Sequence, residues 1–327
     1  MIGRRTILGL MAAAPVSFAA NASAAKAYRK APLTPLERWQ SVAAIPIWPD
    51  APPSTAPYAP PAVTENWGPT LIHHIDRPML RMFRPDLAKG VKPNGQSVLI
   101  IPGGAYLMLS IDGDGMKIAD RFAKMGYTAF VLTHRLPNEG WSSRADVPLQ
   151  DARRAMRTIR ANAKTWGIDP KRVAVIGFSA GGHLAATLAT DIAQGLSSIN
   201  DATDRLDAIP FAAGLIYPVI TMHDPLAHKL SRAMLLGPKP DTALVDRRSP
   251  NLAIGAHTPP CFIAHSIDDD VVKVENAIVM TDALRAANRP VETHLFQSGG
   301  HGYGVGKAGT PEALWPDLFA AWLARLK

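Results

Sequence analysis

From residue 79 onward, short and almost continuously apolar runs alternate with stretches rich in helix formers. Met79–Phe83, Ser97–Ile101, Thr128–Leu132, Arg172–Ile176, Phe211–Ile220, Pro260–His265 and Val291–Phe296 read as strands. Met116–Met125, Asp146–Trp166, His183–Ala189, Val274–Ala287 and Pro311–Lys327 read as the helices between and after them. A strand that is apolar on both faces must be covered on both faces. Strand–helix alternation of this kind therefore predicts a mostly parallel, doubly wound α/β sheet flanked by helices. The stretch 221–258 has no strong strand signal and carries several prolines, so it reads as a small cap or lid insert. Arg153, Arg154, Arg157 and Arg160 lie on the long helix and are expected to form a solvated face.

One strand–helix junction carries chemistry. Gly177-Phe178-Ser179-Ala180-Gly181 fits G-x-S-x-G, with an apolar β-branched run before it and His183-Leu184-Ala185-Ala186-Thr187-Leu188-Ala189 after it. Strand, tight turn and helix is the setting in which this motif forces the serine into strained backbone and lifts its hydroxyl above the sheet edge. A serine hydroxyl is a weak nucleophile until a base removes its proton, and that base needs an acid to orient it. His301, in Gly299-Gly300-His301-Gly302 directly after a strand, is the candidate base. His183 on the elbow helix, His73 and His74 before the sheet, and His223 and His228 in the insert are less well placed.

The acid is expected after the preceding strand, where His265-Ser266-Ile267-Asp268-Asp269-Asp270-Val271-Val272 offers three carboxylates. Asp269 has the D-x-x-V spacing to Val272 and is favoured, with Asp268 the alternative. The remaining aspartates are expected to cap the helix near Val274. His265 reads as a satisfied strand-end residue. An oxyanion hole needs two backbone donors: the N–H of Ala180, and one from Gly104 or Ala105 in Ile101-Pro102-Gly103-Gly104-Ala105-Tyr106. Tyr106 is expected to line the acyl pocket. No residue cluster has metal-ligand spacing, no Gly-rich phosphate loop opens a helix, and no cofactor is implied.

The chain has 327 residues, 47% hydrophobic and 19% charged, with a net charge of +8. That composition is globular and long enough for a large core. The positive charge comes without a Lys/Arg run or an aromatic-interleaved basic stripe, which argues against nucleic-acid binding. Cys261 is the only cysteine, so no intrachain disulfide can form; it reads as a small buried side chain.

Arg4-Arg5, the apolar stretch from Ile7 to Ala20 and Ala22-Ser23-Ala24 give residues 1–24 the pattern of an export signal, with the paired arginines suggesting the twin-arginine route. The expected location is periplasmic or secreted. The apolar run is too short for a stable membrane anchor. Residues 25–70, with Pro52-Pro53 and Pro60-Pro61, read as an extended, non-helical N-terminal arm that docks through Trp39, Trp48 and Trp67. The catalytic domain then runs over 71–327, and nothing in the sequence marks an oligomeric state.

These motifs resemble the α/β-hydrolase superfamily, and within it the acetyl-xylan-esterase-like bacterial esterases. The resemblance runs from about Arg77 to the C-terminus. It rests on Pro102-Gly103-Gly104-Ala105-Tyr106, Asp151-Ala152-Arg153-Arg154-Ala155, Gly177 to His183, His265-Ser266-Ile267-Asp268-Asp269, and Phe296 to Gly302. It implies Ser179 as nucleophile, Asp269 as orienting acid and His301 as base. It also implies a carboxylic ester substrate, a small molecule or an acetylated polysaccharide such as xylan. Two departures stand out: many relatives have His-Gly-Gly-Gly at Pro102–Ala105, and Lys273 occupies a position where proline is common. A general short-chain esterase or lipase, a serine peptidase of the same fold, and a non-catalytic carbohydrate-binding protein are the alternatives.

Overall fold

The first described elements occupy the stretch read above as an extended arm. The computed structural model describes residues 32–54, 62–63, 70–190 and 201–327; the expected export signal, Pro60-Pro61 and Trp67 lie outside them. Helix α1 (Pro35–Ser41) starts at Thr34, whose side chain and that of Glu37 form a reciprocal capping box. Strand β1 (Ala44–Pro46) follows, then β2 (Ala62–Val63), β3 (Leu71–His73) and β4 (Met79–Phe83). The arm is thus not wholly non-helical. Its capping box overrides the proline content, and β1 extends a sheet edge, where Pro46 costs no ladder bond. Trp39 and Trp48 are both buried, as their docking role requires.

The body continues with β5 (Ser97–Ile101), β6 (Leu109–Ser110), α2 (Lys117–Lys124), β7 (Thr128–Thr133), α3 (Val147–Ala161), α4 (Ala163–Trp166), β8 (Val173–Phe178) and α5 (Ala180–Thr190). It ends with β9 (Ala213–Ile216), α6 (Lys229–Leu236), α7 (Thr242–Arg247), β10 (Cys261–Ser266), α8 (Glu275–Ala286), β11 (Val291–Phe296) and α9 (Trp315–Arg325). Residues 34–327 form one compact unit. The main sheet has the order β1-β4-β7-β5-β8-β9-β10-β11. The pairs β1·β4 and β4·β7 are antiparallel and the rest parallel. A small antiparallel sheet, β2-β3-β6, stands apart from it.

Alternation along the buried strands feeds two cores. Leu99, Ile101, Val175 and Ile263 face one side with side chains of α3, α5 and α8. Val98, Ile100, Ile176 and Phe262 face the other with side chains of α2 and α9. This is why β5, β7, β8, β9 and β10 carry no polar stripe: every residue in them is buried. Each such Val, Leu, Ile or Phe side chain stabilises the fold by roughly 1.5–3 kcal/mol. Cys261 is buried among them, as expected.

Three expectations are corrected. The strand expected over 211–220 covers only Ala213–Ile216, because Tyr217 turns to a φ of +36° and Pro218 follows. The long helix breaks at Asn162 into α3 and α4. The arginine face is not solvated either. Arg154 is buried; it pairs with Asp201 and Asp204 at 2.6 and 2.9 Å and donates to the Ile47 carbonyl. Arg157 and Arg160 donate to the carbonyls of Leu206 and Ile209. Chain distant in sequence, around residue 47 and over 201–209, covers that face.

The 221–258 stretch is helical, through α6, α7 and a single turn at Pro250–Leu252. Arg144 ties it to the body by donating to the carbonyls of Ala233 and Met234.

Candidate active site

The parallel strands end on one side of the sheet, and the candidate residues lie just past those ends. Ile101 at the end of β5 sits opposite Gly177 of β8, so the glycine turn after β5 and the serine elbow are neighbours. Ser179 has a φ of +52°, the left-handed region that a residue with a Cβ occupies only under constraint. The constraint is close packing. A Cβ on Gly177 would lie 2.2 Å from the Gly181 carbonyl oxygen, and one on Gly181 would lie 2.3 Å from that of Ile101. The two glycines thus let the elbow helix and the β5 turn approach at backbone distance.

The structure brings Ser179, His301 and Asp269 into one line. Ser179 Oγ lies 2.9 Å from His301 Nε2, and His301 Nδ1 lies 2.7 Å from Asp269 Oδ2. Burial by itself raises the Asp269 pKa. Hydrogen bonds from His265, His301 and the Val272 amide outweigh it and hold the carboxyl well below the ordinary carboxylate range. An ionised Asp269 accepts a hydrogen bond from the Nδ1–H, which leaves Nε2 as the acceptor for the serine hydroxyl. The second oxygen, Oδ1, accepts from the amides of Val271 and Val272 at 2.9 and 2.8 Å, the D-x-x-V packing read in the sequence.

Asp268 faces elsewhere. Its carboxylate accepts from the amides of Gly299 and Gly300 at 3.3 and 2.8 Å, so it holds the loop that presents His301. No aspartate caps α8, whose N-cap Val274 has no side-chain bond. That expectation fails because the N-cap position falls on Val274, four residues past Asp270, and Asp268 is engaged on the loop that carries His301. His265 is only half satisfied: Nε2 reaches Asp269 Oδ2 at 3.0 Å and the Val272 carbonyl at 2.9 Å, while buried Nδ1 has no partner among the described residues.

In the turn after β5, Ala105 and Tyr106 have φ values of +56° and +60°. The amides of Gly104, Ala105 and Ala180 have no partner among the described residues and are the available donors for a developing oxyanion. Tyr106, expected to line the acyl pocket, is 2% exposed, and its hydroxyl donates to His183 Nδ1 at 2.7 Å. The direction follows from His183 Nε2, which donates to the Arg248 carbonyl at 2.7 Å. Burial lowers the His183 pKa to about 4, so it stays neutral and links the β5 turn to the insert. Sequence reasoning missed this pairing because 77 residues separate the partners.

No metal spacing is visible in the sequence, yet the fold gathers His73, His74 and Glu139 with ligand atoms within 4.8 Å of one another. Both Glu139 oxygens accept backbone amides, of His74 and Ile75, so local structure already accounts for that carboxylate. Among the described residues no helix is long and apolar enough to cross a membrane.

The family model described as BD-FAE matches residues 86–284. An acetylxylan esterase of Xylanibacter ruminicola is 34% identical over 218 residues, which is 65% of this chain and 42% of that protein. An endo-1,4-beta-xylanase B of Butyrivibrio fibrisolvens is 35% identical over 228 residues, 69% of this chain and 34% of that protein. The chain therefore spans well under half the length of these curated relatives. A crystal structure of an acetyl ester-xyloside bifunctional hydrolase from Caldicellulosiruptor lactoaceticus superposes with a TM-score of 0.73 at 31% identity, covering 86% of this chain and 95% of that one. The shared architecture is the α/β-hydrolase fold, and the chain belongs to the BD-FAE family.

Proposed function

We propose that the chain is a serine carboxylic ester hydrolase whose substrates are acetylated xylan or related acetylated saccharides. The observation that carries this reading is the Ser179–His301–Asp269 line at the C-terminal ends of the parallel strands. In this reading Ser179 Oγ attacks the ester carbonyl while His301 Nε2 takes its proton. The amides of Ala180 and of Gly104 or Ala105 bind the oxyanion. His301 then protonates the departing alcohol and activates the water that releases the acid from Ser179. Asp269, fully ionised, holds the imidazole in one tautomer and stabilises its protonated form.

The saccharide class rests on the printed names of the acetylxylan esterase, the xylanase and the acetyl ester-xyloside hydrolase that the chain is similar to. The export pattern of residues 1–24 would place the enzyme where such polymers occur. Acetate release from acetylated xylan, compared with turnover of p-nitrophenyl acetate, butyrate and longer esters, tests the substrate class. Ser179→Ala should lower kcat on every substrate by about six orders of magnitude. Near wild-type turnover by that variant would sink the mechanism, and better turnover of long-chain esters than of the polymer would sink the saccharide reading.

A further inference from the structure

A second buried carboxylate lies beside the serine, outside the Ser–His–Asp line. Asp114 is in a single π-helical turn, Asp112–Met116, that leads into α2; such turns recur at functional sites. A Cβ built on Gly103 would lie 2.8 Å from Asp114 Oδ2 and 3.1 Å from Ser179 Cβ, which places the carboxylate within a few ångströms of the elbow.

Each Asp114 oxygen has a separate partner. Oδ2 accepts from the Gly103 amide at 3.1 Å, at the start of the turn that supplies the oxyanion donors. Oδ1 accepts from the Tyr217 hydroxyl at 2.9 Å. The Tyr217 oxygen in turn accepts from the Gly304 amide at 3.2 Å, three residues past His301. The Tyr217 ring packs edge-on against His301 and Tyr303 at centroid distances of 5.0 and 4.6 Å. The Gly304 carbonyl accepts from Trp315 Nε1 at 2.7 Å, which anchors the far end in the core. One polar path therefore runs from the oxyanion turn through Asp114 and Tyr217 to the histidine loop.

We propose that Asp114 is a positioning residue that fixes the spacing between the oxyanion turn and the His301 loop through Gly103 and Tyr217. The inference rests on the ester-hydrolase reading above. Burial raises the Asp114 pKa to about 6, and the bonds from Tyr217 and Gly103 and the nearby His301 work against that rise. A carboxylate kept at this depth needs both donors. In return it removes Gly103 from the pool of oxyanion donors and leaves that task to Gly104 and Ala105. The effect is one of geometry, and small misplacements of reacting groups are costly in rate.

The test is a double-mutant cycle in the full chain, read as kcat and KM on p-nitrophenyl acetate at neutral pH, with melting temperatures as a check on folding. Asp114→Ala should lower kcat about 100-fold and change KM by less than about threefold. Tyr217→Phe should lower kcat about tenfold, and the double variant should be about as slow as Asp114→Ala, because both cut one path. Asp114→Asn, which keeps one acceptor, should recover about tenfold over Asp114→Ala. If Asp114→Ala does not fold, the cycle runs with Asp114→Asn and Tyr217→Phe, and non-multiplying losses are again required. A folded Asp114 variant with kcat within about twofold of wild type, or losses that multiply, overturns the role. An active wild type with unaffected variants defeats the positioning role alone; an inactive wild type defeats the ester-hydrolase reading and this inference with it.

Discussion

The two halves of the candidate site are built from different forces. On the serine side, every residue of β8 and of α5 is buried, and the elbow is fixed by apolar packing and backbone contact. On the histidine side, β11 is the edge strand of the sheet, none of its residues is fully buried, and Leu295 is 40% exposed. There the loop carrying His301 is held by polar contacts instead: Asp268 on Gly299 and Gly300, Asp269 on the imidazole, and Tyr217 on Gly304. Ser179 is thus held by apolar packing, whereas His301, beside an edge strand, is held by hydrogen bonds that involve Asp268, Asp269 and Tyr217. Changes to the packing around Ser179 should cost stability before rate, and changes to the bonds that hold the His301 loop should cost rate before stability.

Among changes on the histidine side, Asp269→Asn should show the largest effect. The altered side chain cannot hold His301 in the productive tautomer while the Val271 and Val272 amides still bind it, so kcat should fall by about four orders of magnitude. Steady-state kinetics alongside urea unfolding checks that the loss is in rate. A comparable loss of stability would erase the contrast.

Gly181→Ala tests the serine side. The new Cβ would meet the carbonyls of Ile101 and Pro102 at 2.3 and 2.4 Å, backbone that cannot swing aside. Unfolding free energy should drop by about 3 kcal/mol. An unchanged denaturation midpoint would mean that the elbow is looser than its packing indicates.

His183 gives the serine side a pH signature. Its folded pKa, about 4, lies below its ordinary value of 6.5. The stability it contributes is therefore complete above pH 6.5 and lost as pH falls toward 4, about 3 kcal/mol in all. Asp114 acts with the opposite sign, since its raised pKa favours the fold as pH drops below about 6. Wild type shows these two together with other shifted groups, among them the buried His134, whose pKa is lowered by burial, so the contribution of His183 is read against a variant. Replacing His183 with Gln removes one contribution, so the stability gap between wild type and His183→Gln should narrow by about 3 kcal/mol from neutral pH to pH 4. A gap that stays constant with pH would show that His183 is not held neutral by burial.

Asp268→Ala should have the smallest effect. It removes the acceptor for two loop amides that can turn to water, so kcat should fall about tenfold and stability by less than about 1 kcal/mol. Equal losses in both would place the histidine loop with the rigid half.

Legibility in the sequence follows the same division. The elbow is readable because its determinants, an apolar strand, two glycines and a helix-forming run, sit within a few residues of Ser179. The local D-x-x-V turn favours Asp269 but leaves Asp268 open, and the glycine flanks mark His301. The role of Asp268 is less readable, because its partners Gly299 and Gly300 lie 31 and 32 residues away. The arginines of α3 are misread for a similar reason: helical spacing shows which face they share but not that residues near 47 and 201–209 cover it. His183, set aside as a base, emerges as a buried neutral link between Tyr106 and Arg248.

By itself the sequence determined the layered α/β architecture, the elbow, and the order of the candidate serine, aspartates and histidine along the chain, because periodicity and turn chemistry act over short separations. Only the tertiary structure decided which aspartate faces His301, that β1 from the arm extends the sheet, and that Asp114 joins Gly103 to Tyr217. Those choices depend on contacts between residues tens of positions apart, and burial and hydrogen-bond satisfaction select among them only once the sheet has formed.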